Sequence, residues 1–185
     1  MRRSDLVGRY CLYKDRRKAQ GFTIIELIVV ILVLGILAAT ALPKFMDVTA
    51  AAHRAAVAGA AGALGSGVML AKAQWTANGL SAAATNVAGF GNNDVDVSAS
   101  GWPTGTAGNT APAAMTAAIC GEVWNGVMQN PPVVATASAV GVAYVASAAA
   151  PVCTFTYQVN GAAAVPARTM TYDASNGAVV ITANP

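Results

Sequence analysis

The chain has 185 residues, a net charge of +3 and a composition that is 55% hydrophobic. That length accommodates one ordinary domain, or a modest domain with an appendage. The chain has a single histidine, His53, which we expect to be a solvated surface residue. No metal-ligand cluster, phosphate-binding glycine loop or nucleophile motif is recognisable. The sequence therefore predicts no enzyme, with no catalytic residue, no metal site and no cofactor.

The positive charge is concentrated at the N-terminal tip. Seven of the eleven basic residues precede Gly21: Arg2, Arg3, Arg9, Lys14, Arg16, Arg17 and Lys18. From Phe22 onward, four basic residues stand against six acidic ones, so no nucleic-acid partner is predicted. A basic tip next to an apolar segment predicts the cytoplasmic side of a membrane, with the rest of the chain outside the cytoplasm.

The apolar stretch "GFTIIELIVVILVLGILAATALP" covers residues 21–43. As a helix, residues 22–42 would span about 31 Å, which matches the hydrocarbon core of a bilayer. A single membrane span is therefore predicted. Two alternatives remain: a secretory signal peptide cut near Ala39-Thr40-Ala41, and an ordinary uncleaved anchor with Glu26 at the interface.

Glu26 lies near the start of this apolar stretch. A carboxylate within a membrane span costs about 2.5 to 3.5 kcal/mol at mid-helix and less near an end. Such a residue normally marks a partner for its charge. The sequence therefore predicts that Glu26 meets a positively charged group.

The string "GFTIIEL", followed by an apolar run and Pro43, resembles the signature of type IV prepilins and the related pseudopilins. The resemblance implies that a prepilin peptidase cuts after Gly21 and that Phe22 is then N-methylated. It also implies that Glu26 of one subunit pairs with the new amine of Phe22 on a neighbour, which fixes the register of assembly. The later string "PKFMDVTAAAHRAAVAGAAGALGSGV" is most similar to pilins of the mannose-sensitive haemagglutinin (MSHA) type.

The resemblance implies an α+β fold, the type IV pilin fold, in which a long N-terminal helix packs on a small C-terminal antiparallel β-sheet. Four parts are expected: a cleaved basic leader at 1–21, a transmembrane and assembly helix at 22–43, its amphipathic continuation at 44–78, and a globular head at 79–185. Gly35 and Pro43 disfavour helix and predict a kink or local unwinding.

Residues 44–78 carry apolar side chains at helical spacing. The predicted core-facing stripe is Phe45, Val48, Ala52, Ala55, Leu64, Val68, Ala71 and Trp75. Asn78-Gly79 is predicted to end the helix. Glycines within the segment weaken a helix, so they predict a surface that other backbones approach closely: Gly59, Gly62, Gly65 and Gly67.

The head is predicted to begin with an irregular connection over 79–112, in which turn and solvation roles are favoured for Asp94 and Asp96 over calcium binding. A short helix is predicted over 113–129. Four strands of a meander follow, at 140–145, 152–159, 168–172 and 178–182, with turns at Asn160-Gly161 and Asn176-Gly177. Within "VCTFTYQV", Cys153, Phe155, Tyr157 and Val159 are expected on one face.

Cleavage at Gly21 would remove Cys11 and leave Cys120 and Cys153. An even pair in an oxidising compartment predicts a disulfide, and two free thiols are the alternative. A bridge across this separation would contribute about 3.5 kcal/mol in the chain-entropy model. Pilins similar to this chain carry a comparable bridge near the C-terminus.

The function that the resemblance implies is that of a structural subunit. The chain would be cleaved and polymerised into a helical pilus for adhesion, motility or surface contact. Its partners would be further copies of itself, the prepilin peptidase, the pilus assembly machinery and, before assembly, the bacterial inner membrane. Its final location would be the extracellular pilus. The alternatives are a pseudopilin of a type II secretion system and a membrane-anchored ligand-binding module.

Overall fold

The computed structural model describes residues 21–185, apart from the side chain of Met46. The predicted leader therefore lies outside the described residues, except for Gly21. The described chain contains a 54-residue helix α1, Ile24–Ala77, followed by a mixed α/β region. The chain divides into two compact units, Met1–Met46 and Asp47–Pro185, so α1 contributes to both.

The first unit contains the N-terminal part of α1. Its large apolar side chains are about half exposed or more in the single chain, from 47% at Val33 to 79% at Ile24. Helix α1 is, by length and composition, the one helix among residues 21–185 that could cross a membrane. The α-helical backbone continues through Gly35 and Pro43 without a break. The predicted kink at these two residues stays a prediction.

The second unit is built on the remainder of α1. The buried face of this helix segment follows a 3-and-4 spacing: Val57, Ala60, Ala61, Leu64, Val68 and Ala71. The predicted stripe is confirmed from Leu64 onward. It is wrong for Phe45, Val48, Ala52 and Ala55, which are exposed because the packed face begins only at Val57.

The end of α1 is a Schellman motif. The N–H of Gly79 donates to the carbonyl of Thr76 at 3.0 Å, and that of Leu80 to Trp75 at 3.3 Å. Gly79 has φ +71°, the left-handed conformation that this motif requires. The predicted helix end at Asn78-Gly79 is confirmed.

The predicted irregular connection contains a small antiparallel sheet. Strand β1, Asp96–Val97, pairs with β2, Pro103–Gly105. Asp96 is fully buried, and its carboxylate accepts hydrogen bonds from the N–H groups of Asn86 at 3.0 Å and Gly108 at 2.5 Å. Asp96 therefore holds two turns of the backbone together. The predicted turn role is confirmed for Asp96, but the predicted solvation is wrong, because its side chain is fully buried.

A second, short helix forms the centre of the head. A 3₁₀ turn at Pro112–Ala114 precedes helix α2, Ala117–Val127. The predicted helix over 113–129 began too early, because Thr116 caps α2 by accepting a hydrogen bond from the N–H of Ile119 at 3.3 Å. It also ended too late, since Met128 is already extended.

The main sheet has six strands. They are β3, Val134–Ala135; β4, Tyr144–Ala149; β5, Val152–Val159; β6, Ala162–Ala163; β7, Thr169–Asp173; and β8, Val179–Ala183. The order is β3-β4-β5-β7-β8, with β6 paired to β5. The predicted antiparallel meander is confirmed for β4, β5, β7 and β8, whereas the short strand β3 pairs in parallel with β4. The first predicted strand, 140–145, lies four residues too early.

Three cross-strand neighbours in the middle of the sheet form part of the hydrophobic core. Ala146, Phe155 and Met170 are direct cross-strand neighbours on β4, β5 and β7, and all three are buried. The predicted alternation in β5 holds for Cys153 and Phe155. It fails at Gln158, which is buried. The carboxamide oxygen of Gln158 accepts a hydrogen bond from the hydroxyl of Ser138 at 3.0 Å, which offsets the cost of removing it from water.

Helix α2 packs on the buried side of this sheet. Its buried residues follow a single stripe, Cys120, Val123, Trp124 and Val127. The ring of Trp124 lies 4.8 Å from that of Tyr144 and 4.6 Å from that of Phe155, between centroids. The predicted Cys120–Cys153 disulfide is confirmed and joins α2 to β5, with a Cα–Cα distance of 5.6 Å.

His53 does not have the solvated position expected of it. It is half-buried, and its Nδ1 atom lies 2.9 Å from the hydroxyl of Tyr157 on β5. The two rings are 5.5 Å apart. His53 therefore helps to attach α1 to the sheet within the second unit.

Candidate functional site

The predicted functional residues Gly21, Phe22 and Glu26 lie around the first turn of α1. Gly21, Phe22 and Thr23 are not helical, and the helix begins at Ile24. The peptide bond after Gly21 is thus in non-helical, exposed backbone, three residues before the first helical position. A protease can bind such a segment without first unwinding a helix.

Thr23 and Glu26 form a reciprocal capping box. Glu26 Oε2 accepts hydrogen bonds from the backbone N–H and from the hydroxyl of Thr23, both at 2.8 Å. In return, Thr23 Oγ1 accepts from the N–H of Glu26 at 3.3 Å. The pattern Thr-x-x-Glu places these side chains at the N-cap and third helical positions, where they satisfy backbone donors that otherwise have no helical partner.

Thr23 is the residue that the sequence interpretation missed. The signal was present, because a threonine three residues before a glutamate and ahead of an apolar run is the usual sign of a helix start. The resemblance to prepilins implied a charge partner for Glu26 in another subunit. The structure adds a local role for the same carboxylate, within its own chain.

Both hydrogen bonds from Thr23 reach the same oxygen of Glu26. Oε2 accepts the backbone and hydroxyl donors, and no hydrogen bond to Oε1 is found among residues 21–185. A carboxylate can accept at both oxygens. The capping box therefore leaves one oxygen of Glu26 available to a further donor.

Phe22 lies beside this carboxylate. Its side chain is 87% exposed, and it lines a shallow hollow of about 330 Å³ together with Ile25, Glu26, Val29 and Val30. The hollow brings together the two residues that the sequence analysis expected to meet across a subunit contact. Its remaining lining is aliphatic, so it suits an apolar helix surface of a second chain.

The other predicted site residues lie further along the chain. Gly35 has open space around its Cα, and Pro43 has no N–H to donate to the carbonyl of Ala39. Thr40 donates its hydroxyl to the carbonyl of Leu37 at 3.0 Å, so the polar side chain in this apolar segment is satisfied locally. Within residues 21–185, no group of three or more His, Cys, Asp or Glu residues could hold a metal ion.

The comparisons with known proteins agree with this site. Residues 16–42 match the family described as the prokaryotic N-terminal methylation motif, a range that contains Gly21, Phe22, Thr23 and Glu26. The chain is also 46% identical over 57 residues to the type IV narrow pilus major component PilA5 of Thermus thermophilus. That alignment covers 31% of this chain and 49% of PilA5, so the chain spans about half the length of the curated relative. No solved structure matches the chain.

The chain is thus a protein with an N-terminal methylation motif at the start of a long apolar helix. This motif, the α+β fold and the partial match to a pilus component make the chain similar to type IV pilins. The finer resemblance to MSHA-type pilins stays a prediction.

Proposed function

We propose that this chain is the structural subunit of a type IV pilus, made as a membrane-anchored precursor and polymerised into a helical filament. The observation that carries the proposal is the first turn of α1, where a peptide bond outside the helix, a capped glutamate and an exposed phenylalanine lie together. The cited relative is a pilus component, which favours a pilus over a secretion pseudopilus.

The apolar part of α1 must be kept from water throughout assembly. Its side chains between Ile24 and Leu42 are largely exposed in the single chain. Covering one such aliphatic side chain completely is worth about 1.5 to 3 kcal/mol in water. Lipid covers the segment before assembly, and other copies of the same segment cover it in the filament.

Small residues allow these helices to approach closely. Gly35 has open space around it, and Ala38 and Ala39 are exposed on the same helix. In lipid there is no hydrophobic drive between helices, so association depends on close packing of small residues. A head-to-tail contact that does not close into a ring then extends as a fibre.

Glu26 sets the register of that contact. Peptidase cleavage after Gly21 would give Phe22 a free amine. The amine of one copy would then donate a hydrogen bond to the unused Oε1 of Glu26 in a neighbouring copy. Oε2 can keep its two bonds to Thr23 at the same time. A subunit shifted along the helix would leave a buried carboxylate without its partner, at a cost of about 3 to 5 kcal/mol.

The exported head is the whole second unit, Asp47–Pro185, because the packed part of α1 shares one hydrophobic core with residues 79–185. Its disulfide between Cys120 and Cys153 is of a kind that persists in oxidising compartments outside the cytoplasm. The net charge of residues 22–185 is negative, whereas the tip before Gly21 is strongly basic. This asymmetry supports a cytoplasmic leader, an inner-membrane span and a head that ends on the extracellular filament.

The test is to isolate surface filaments from cells that express this chain and to determine the N-terminal residue of their subunit. Electron microscopy should show long extracellular fibres, and mass spectrometry should show a subunit that begins at N-methylated Phe22. Fibres confined to the periplasm would support the pseudopilin instead. A monomer that keeps its leader would contradict both assignments.

A further inference from the structure

The described chain contains four Asn-Gly dipeptides, at residues 78–79, 125–126, 160–161 and 176–177. In such a pair, the glycine nitrogen can attack the side-chain Cγ of the asparagine, because glycine has no side chain to hinder the approach. A bond forms between this nitrogen and Cγ, and the Cγ–Nδ2 bond breaks and releases ammonia. Water then opens the resulting succinimide ring to aspartate or isoaspartate, with no change in oxidation state.

In the first dipeptide, Asn78-Gly79, hydrogen bonds engage both the side-chain amide of the asparagine and the backbone nitrogen of the glycine. Asn78 Nδ2 donates to the carbonyl of Ala88 at 2.8 Å, and its Oδ1 accepts from Gln74 at 2.9 Å. The N–H of Gly79 donates to the carbonyl of Thr76 at 3.0 Å within the helix cap. Reaction here would require three hydrogen bonds to break.

The last dipeptide is held in the same way. Asn176 Nδ2 donates to Asp173 Oδ2 at 2.8 Å, and its Oδ1 accepts from the N–H of Ala178 at 2.8 Å. The N–H of Gly177 donates to the carbonyl of Asp173 at 2.8 Å. The side chain and the attacking nitrogen are therefore both engaged.

The second dipeptide is protected by its backbone. Asn125 and Gly126 lie inside α2, Ala117–Val127. The helical ladder engages the N–H of Gly126, and the helical backbone keeps that nitrogen away from Cγ of Asn125. Opening this site would mean unwinding a helix that carries a disulfide and the buried Trp124.

Asn160-Gly161 has none of these restraints. Asn160 is exposed, and among residues 21–185 no hydrogen bond engages its side chain or the N–H of Gly161. The two residues have φ +53° and +81° and form the two-residue connection between β5 and β6. The strand after the turn, Ala162–Ala163, is only two residues long and exposed. Gly161 packs against the backbone of Ala139 and Val140, but these residues are themselves exposed, so the tip can open without disturbing the core.

We propose that Asn160 is a site of spontaneous deamidation in the folded protein, and that the other three Asn-Gly sites are protected. The modification converts an amide to a carboxylate and adds one negative charge to the head. Isoaspartate would also lengthen the backbone of this two-residue turn by one carbon. The assignment depends on the hydrogen bonds of the second unit and not on the proposed function.

The experiment uses the full-length chain purified in detergent and incubated at alkaline pH. Peptide mapping by mass spectrometry, with chromatographic separation of aspartate from isoaspartate, gives the rate at each of the four sites. Asn160 should react at least roughly tenfold faster than each of the other sites, the factor supplied by about 1.4 kcal/mol of protection. The same chain in urea should show four similar rates, because only the fold distinguishes the sites.

Two variants make the assignment specific. Asn160→Gln should lose the modified peptide, since the longer side chain would have to close a six-membered ring, which forms much more slowly. Asn160→Asp provides the chromatographic standard for the aspartate product. Folded protein in which Asn78, Asn125 or Asn176 reacts as fast as Asn160 would overturn the proposal. An Asn160 that stays intact in the folded chain while it reacts in urea would overturn it equally.

Discussion

Glu26 closes the first turn of helix α1 by accepting two hydrogen bonds from Thr23 at one carboxylate oxygen, each 2.8 Å long. The second oxygen is left for another donor. The same side chain can therefore start the helix within one chain and receive an amine from another.

Glu26→Gln should be cleaved by the peptidase but should fail to assemble. Glutamine keeps a carbonyl oxygen that can accept from Thr23, so the capping box survives. It removes the charge that the amine of Phe22 requires. We expect a processed band of normal size on an immunoblot and a severe loss of sheared filaments.

Thr23→Ser is the matched control for this variant, because it keeps the hydroxyl and the charge of Glu26. Filaments at the wild-type level are expected from it. If Glu26→Gln alone produced normal filaments, the charge pairing would be excluded, and the carboxylate would have only its local role in the cap.

Gly67 should be essential for the packing of the head, whereas Gly62 should not. A Cβ at residue 67 would collide with the backbone carbonyl of Val127 at the end of α2, and one at residue 62 would meet nothing within 4 Å. Gly67→Ala is expected to destabilise the head by about 1 to 3 kcal/mol. Gly62→Ala should stabilise it by up to about 1 kcal/mol, since alanine favours helix.

Urea unfolding followed by tryptophan fluorescence measures this pair of variants. All three tryptophans of the chain, Trp75, Trp102 and Trp124, lie in the second unit, so the signal reports on the head. Equal midpoints for the two variants would contradict the close approach of α1 and α2.

Removal of the disulfide should destabilise the head strongly. The Cys120–Cys153 bridge closes a separation of 33 residues, for which the chain-entropy model gives about 3.5 kcal/mol. The double variant Cys120→Ser and Cys153→Ser should therefore unfold at lower urea concentration by tryptophan fluorescence. Cys11→Ser, which lies in the basic N-terminal segment, should leave the midpoint unchanged, and a shift of similar size in that control would argue against a specific role for the bridge.

Asp96→Asn should loosen the region between α1 and α2. Both oxygens of this buried carboxylate accept backbone N–H groups, from Asn86 and Gly108. An asparagine must place its NH₂ against one of these donors, which leaves a buried donor unsatisfied at a cost of about 1 to 3 kcal/mol. Hydrogen exchange by mass spectrometry should show faster exchange at residues 84–109.

Asp47→Asn provides the control, because Asp47 is exposed. It should leave both the urea midpoint and the exchange pattern unchanged. If Asp96→Asn also left them unchanged, the carboxylate would not hold these two turns together.

The linear sequence was sufficient wherever a property depends on neighbours in the chain. The apolar run after Gly21 fixed the long helix and its potential to cross a membrane, because length and hydropathy decide both. The end of α1 at Asn78-Gly79 and the turn at Asn160-Gly161 followed from residues that accept positive φ. The Cys120–Cys153 pair was also predicted although its members are 33 residues apart, because only two cysteines follow Gly21 and they have no other possible partner there.

Only the tertiary structure decided which residues are buried and which hydrogen bonds they make. The buried carboxamide of Gln158 is hydrogen-bonded by Ser138, twenty residues away, and the role of Asp96 depends on two distant turns. The same holds for the difference between Gly62 and Gly67, which look equivalent within a run of alanine and glycine. Periodicity reports which residues share a face, but the length of helix that the sheet actually covers is set by contacts between segments far apart in the chain.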